Sequence, residues 1–196
     1  MVLDTSLWTY NKDLIRFQFK IAERWLKRGK KSHDKFAKFF FHFSGFNALY
    51  YLWATIEDLK NEMGKRPGET RQIENLLKKF NREEAFEILN MLSEDINYFC
   101  KRNPIERMDK RDPTNPFDGD PEEGKKWQKL LQEREDSVDK MVALGEILYI
   151  IRSNLFHGSK SESGDDEEII NHSITPLEII LTKVLHLTEN KFPWVK

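Results

Sequence analysis

Cysteine is almost absent from this chain: Cys100 stands alone among 196 residues. A single thiol excludes a disulfide framework and a cysteine-based zinc site. It fits a reducing compartment, and the charged, aromatic N-terminus lacks a signal-peptide pattern, so a cytoplasmic location is expected. An excess of one charge is lacking as well, with 32 basic residues against 33 acidic ones. No global field draws in nucleic acid, and any RNA or DNA contact has to come from local patches. Glycine and proline are sparse, 9 and 7, whereas phenylalanine reaches 14. That balance describes a packed globule rather than a disordered chain. Convincing period-two alternation is missing throughout, so strands are not expected.

One stretch carries no formal charge, "FFFHFSGFNALYYLWATI" from Phe39 to Ile56. His42, Ser44, Asn47 and Thr55 interrupt it, and Lys35 and Lys38 continue its helical pattern upstream. A central helix buried on most sides explains it better than a membrane span, so no membrane partner is expected. The remaining periodicity is helical. A first helix is expected over residues 13–27, with an apolar stripe of Leu14, Phe17, Ile21, Trp25 and Leu26. Gly29 reads as its break and Ser32 as the N-cap of the next helix, residues 34–61. A short helix is expected over 73–80. Asn81 and Glu84 form a capping-box-like start for a helix running through Leu92 to Phe99. "RNPIERMDKRDPTNPFDGDPEEG", with four prolines, reads as a long loop at about 101–124. Helical pattern resumes after Pro121 and continues strongly through Val138 to Phe156. "SKSESGDDEE" reads as a solvated acidic loop, and Thr175, Pro176 and Glu178 as the start of a last helix. The expected architecture is all-α: one domain over 1–196, an up-and-down bundle of about five or six helices.

Near the end of the strongest helix stands "IIRSNLFHGSK". With Leu144 as origin and 100° per residue, Ile147, Leu148, Ile151 and Leu155 fall within about 60° and form a core stripe. Beside it runs a second row, Gly145, Tyr149, Arg152 and Phe156, which suits close approach by another helix. That helix belongs either to the same chain or to a second copy, and the second copy is slightly favoured. His157 lies about 140° round from Arg152 on an ideal helix, but Gly158 unwinds the end and lets the imidazole swing back. Arg-x4-His by itself is weak: eleven arginines and five histidines give about 0.3 such pairs by chance. Arg28 and His33 form a second pair of this spacing, a decoy across a glycine. Two basic residues in a last turn are also favoured by the helix dipole without any catalytic task.

Context separates the later pair. "YIIRSNLFHG" resembles the signature of the HEPN superfamily, in which Arg-x4-6-His closes a long helix of a four- or five-helix bundle. "FFFHFSGFNALYYLW" resembles the aromatic second helix of prokaryotic members, and the order of the two motifs matches. The resemblance implies a metal-independent endoribonuclease acting on single-stranded RNA at a composite site between two subunits. Arg152 and His157 take the catalytic positions, with Ser153 where active members often carry Asn, Asp or His. Ser153, Asn154 and Asn47 are candidate supporting residues, and Gly145, Tyr149 and Phe156 candidate dimer contacts. The expected partners are RNA, a second copy, and an antitoxin or regulatory protein, in a toxin-like or antiviral setting.

The chemistry suits these residue types. RNA carries its own nucleophile, the 2′-hydroxyl, which a histidine deprotonates near neutral pH. A permanently charged guanidinium clamps the oxyanion that builds on phosphorus. No cofactor or metal is expected. "DPTNPFDGDPEE" lacks EF-hand register. Lys30 and Lys31 in "KRGKK", with Lys160, are candidate phosphate contacts. His42 and Asn47 are expected as hydrogen-bonded core residues, with bracing of the site as the other reading of Asn47, and His172 and His186 are expected to be structural or exposed. The alternative reading is a non-catalytic HEPN-like module that binds RNA, a nucleotide or a partner protein.

Overall fold

The computed structural model describes residues 5–61, 67–103, 105, 122–156 and 164–196. Among the described residues there are eight α-helices and no strand, so the chain is all-α. The chain divides into two compact units, Met1–Gly68 with Leu177–Lys196, and Glu69–Pro176.

In the first unit, α1 (Thr5–Lys31) packs along α2 (Lys35–Asn61). The buried row of α1 is Ile15, Phe19 and Ala22, while Phe17, expected in the core, is 58% exposed. The buried face is thus rotated from the expected stripe. Gly29 is no break, since α1 runs on to Lys31. A Cβ at Gly29 would lie 2.1 Å from Cδ2 of His42, so this glycine makes room for a fully buried imidazole. Asp34, not Ser32, caps α2, accepting a 2.6 Å hydrogen bond from the Ala37 amide. Along α2 the rings of Phe39, Phe43, Phe46 and Tyr50 pack in succession. Further on, Trp53 Nε1 donates to Thr188 Oγ1 at 3.0 Å within the core. Thr188 belongs to α8 (Gly164–Lys191), whose C-terminal part completes this unit with a closing 3-10 turn at Pro193–Val195. No described helix is long and apolar enough to cross a membrane.

The second unit is built round α7 (Ser137–Phe156), in which residues 141–151 are all buried. Three helices pack on it: α3 (Glu69–Leu77), α4 (Arg82–Met91) and α6 (Glu122–Glu133). Asn81 and Glu84 close the expected capping box at the start of α4, with both reciprocal hydrogen bonds made. The single helix expected through Leu92 is instead two, because α5 (Ser93–Lys101) begins anew after a buried Leu92. Side-chain amides of α6 satisfy the open carbonyls at the end of α5: Gln128 Nε2 donates to Phe99 O at 2.8 Å and Gln132 Nε2 to Cys100 O at 2.5 Å. Asp136 separates α6 from α7 and accepts from the Val138 amide at 2.9 Å. Its carboxyl lies below the usual range, chiefly because the Asp139 amide donates to it.

The expected start of the last helix at Thr175 and Pro176 is not a start. α8 begins at Gly164, so part of the expected acidic loop is helical and Pro176 sits inside the helix. Proline keeps a helical φ there and forfeits one hydrogen bond, to the carbonyl of His172.

Candidate active site on the second unit

Arg152 lies one turn before the end of α7, its side chain 23% exposed. Glu69, the first residue of α3, places its Oε2 3.8 Å from Arg152 Nη1. The same oxygen accepts a 3.1 Å hydrogen bond from the Tyr149 hydroxyl. A carboxylate in the first turn of a helix is favoured by the dipole, so Glu69 is well placed to hold a guanidinium. At 3.8 Å the pair is an ion pair rather than a hydrogen bond.

The row beside Arg152 faces the same chain. A Cβ on Gly145 would lie 2.4 Å from Leu77 Cδ1 and 3.1 Å from Ile73 Cγ2, both on α3. Tyr149 is buried, 8% exposed, with its hydroxyl on Glu69. Gly145 and Tyr149 thus serve the α3–α7 contact rather than a surface offered to a second copy. The small residue and the ring both meet a neighbouring helix of the same chain. Phe156 closes α7, and its side chain lies outside the described residues.

Ser153 and Asn154 are both buried, each 3% exposed. As α7 turns 100° per residue, the two positions after Arg152 rotate into the unit. Neither side chain lies at the surface. Their remaining part is to fix the helix and hence Arg152. His157 and Lys160 lie outside the described residues. Asn47, Lys30 and Lys31 belong to the first unit. Asn47 is half-buried on α2, and the two lysines are exposed at the end of α1. Lys30 Nζ is 3.7 Å from Glu178 Oε1.

No protein-family model, curated protein or solved structure matches the chain. The site is therefore read from its own chemistry.

Among the described residues, no group of three or more His, Cys, Asp or Glu side chains is arranged to hold a metal ion. Burial pushes the Cys100 thiol up, so little nucleophilic thiolate is present near neutral pH. A second cluster escaped the sequence reading. His172 Nδ1 lies 2.8 Å from Asp95 Oδ1, and its ring stacks on Tyr98 with centroids 3.9 Å apart. Arg102 Nη1 donates to the Tyr98 hydroxyl at 2.9 Å. Asp95, Tyr98 and Arg102 follow helical spacing along and just past α5, which is a visible signal. Their histidine is 77 positions from Asp95, which no local pattern reveals. Glu69 was missed for the same reason, and buried Glu146 on α7 as a charge inside an apolar run.

Burial raises the Asp95 carboxyl above its ordinary value, against the lowering effect of its hydrogen bond to His172. Such a group contributes stability that is complete below its unfolded value of 3.8 and is lost as pH rises through the folded value. Asp95→Asn is neutral at every pH. The stability of the wild type relative to this variant should therefore fall as pH rises from below 3.8 through the raised folded value. Urea unfolding at several pH values measures it, and a pH-independent difference over that range would refute this account of the Asp95 shift.

Proposed function

We propose that this protein is a metal-independent endoribonuclease of the HEPN type, with Arg152 clamping the phosphate and His157 moving the proton. The observation that supports it most is the setting of Arg152. Its guanidinium sits partly exposed just beyond the buried run 141–151 of α7, with Glu69 at 3.8 Å and the Tyr149 hydroxyl on that carboxylate. A guanidinium oriented before substrate arrives spends little reorganisation on the developing oxyanion. In this reading His157 takes the proton of the 2′-hydroxyl, and the oxygen attacks the adjacent phosphorus. The bond to the 5′-oxygen breaks and that oxygen takes a proton from an imidazolium or from water, leaving a 2′,3′-cyclic phosphate and a 5′-hydroxyl.

The HEPN resemblance also includes a second copy, whose Arg152 and His157 would share the cleft. With Gly145 and Tyr149 buried against α3, such a dimer would use the surface round Arg152 and Glu69. A toxin-like or antiviral role, and an antitoxin partner, belong to the same reading. The test uses labelled single-stranded RNA in EDTA. Cleavage to cyclic-phosphate ends is expected, and a single 2′-deoxy substitution at the cut position should abolish that cut. Products with 5′-phosphate ends would rule out this chemistry.

One observation favours a second reading, a non-catalytic RNA-binding module. Ser153 and Asn154 are buried, and Glu69 competes with an incoming phosphate for Arg152. That reading predicts RNA binding without turnover, in the wild type and in Arg152→Ala alike.

A further inference from the structure

The first unit has a groove of about 350 Å³ between α1 and α2, with Gln18, Trp25, Ser44, Asn47 and Tyr51 among its lining residues. Its chemistry is specific: two aromatic rings, two side-chain amides and a hydroxyl in one shallow trough. Trp25 is held in place by a parallel stack on Phe41, with centroids 5.5 Å apart, and by the edge of Phe40 at 6.1 Å. Tyr51, by contrast, is 37% exposed, and Phe40 is 39% exposed. Large apolar rings at a surface mark a binding face when polar groups surround them.

Charge identifies the occupant. Between residues 24 and 38 there are seven lysines and arginines against one acid, Asp34; Lys27, Lys30 and Lys31 line a separate hollow with Thr182 and His186, so Arg24 and Arg28 are the charges assigned to this groove. Arg24 and Arg28 are exposed and follow Phe17 at helical spacing, in the α1 row adjoining Ile21 and Trp25. The Arg28 guanidinium stands 5.1 Å from the centre of the Trp25 ring. A second copy docked through this face would set two basic patches against each other. An acidic peptide would match the charge but leave the flat rings without stacking partners. Aromatic platforms beside a cationic track are what a single-stranded nucleic acid requires, because bases stack on the rings while phosphates follow the charge.

We propose that this groove binds single-stranded RNA, with a base stacked on Tyr51 beside Trp25, the amides of Gln18 and Asn47 on its edge, and phosphates on Arg24 and Arg28. The proposal extends the RNA reading of the preceding section to a second contact region. It does not depend on Arg152 or on catalysis. Asn47 then acts in binding rather than as a brace of the catalytic helix.

Fluorescein-labelled 2′-O-methyl oligouridine tests it, because the blocked 2′-oxygen prevents cleavage and isolates binding. Anisotropy should give a dissociation constant about tenfold weaker for Tyr51→Ala and a smaller loss for Asn47→Ala. The Arg24→Gln/Arg28→Gln double variant should flatten the slope of log K against log salt by about 1.4. Arg82→Gln, on the second unit, should bind as the wild type does. Equal affinity across the groove variants, or no binding by the wild type, overturns the proposal. Intact groove binding in a protein that never cleaves RNA would leave it standing and remove the catalytic reading alone.

Discussion

Arg152→Lys is expected to lower RNA cleavage about 100-fold while the protein stays folded and still binds RNA. The substitution keeps the charge near Glu69, so the ion pair at 3.8 Å retains its sign and the α3–α7 contact survives. Lost is the planar fork, which presents two N–H groups to two non-bridging oxygens at once, whereas an ammonium is a point charge on a flexible stem. A factor of 100 corresponds to about 2.7 kcal/mol of transition-state stabilisation. That is the size expected when one preorganised oxyanion donor is removed. Single-turnover cleavage rates at saturating protein measure it, with thermal unfolding as the control for folding. A lysine variant that cleaves at the wild-type rate would mean that Arg152 contributes only charge, or nothing, to the reaction.

Gly29→Ala should destabilise the first unit by about 2–3 kcal/mol. On an exposed helix the same change stabilises by about 1 kcal/mol, through helix propensity. Here the added Cβ would lie 2.1 Å from Cδ2 and 2.2 Å from Nε2 of His42. The imidazole is 0% exposed and is a rigid ring, so it has no flexible end to withdraw. The steric term therefore outweighs the propensity gain, and the melting temperature should drop by about 5–10 °C. Tryptophan fluorescence is a suitable readout, since Trp8, Trp25, Trp53 and Trp194 all belong to the first unit. In a His42→Ala background the penalty should largely vanish, giving a large coupling energy between the two positions. A Gly29→Ala protein more stable than the wild type would show that this contact does not constrain α1.

Local signals were legible in the sequence, and signals that depend on distant partners were not. The Asn81–Glu84 capping box was readable because its two residues satisfy each other within one turn. Thr175, Pro176 and Glu178 carry an equally local start signal, yet they lie inside α8. An interior proline costs a helix one hydrogen bond and a clash with the carbonyl four residues earlier, and the local start signal did not reveal that α8 bears this cost. Gly29 looked like a stop because glycine often is one; the imidazole that needs its space belongs to α2. Gly145 was recognised as a point of close approach, but the approaching helix, α3, lies some seventy residues earlier in the chain. At the candidate site, Arg152 was visible from its place on an apolar helix. Its carboxylate, Glu69, was not, because only the folded unit brings it near. Burial of Ser153 and Asn154 is also a tertiary result: the helix is enclosed on more sides than one apolar stripe suggested.

The most direct measurement is cleavage of a labelled single-stranded RNA in EDTA by the wild type and by His157→Ala. The account predicts metal-independent cleavage by the wild type and a loss of at least about 100-fold in the variant, with RNA binding retained. A wild type that binds RNA without cutting it, or a variant that cuts as fast as the wild type, would contradict it.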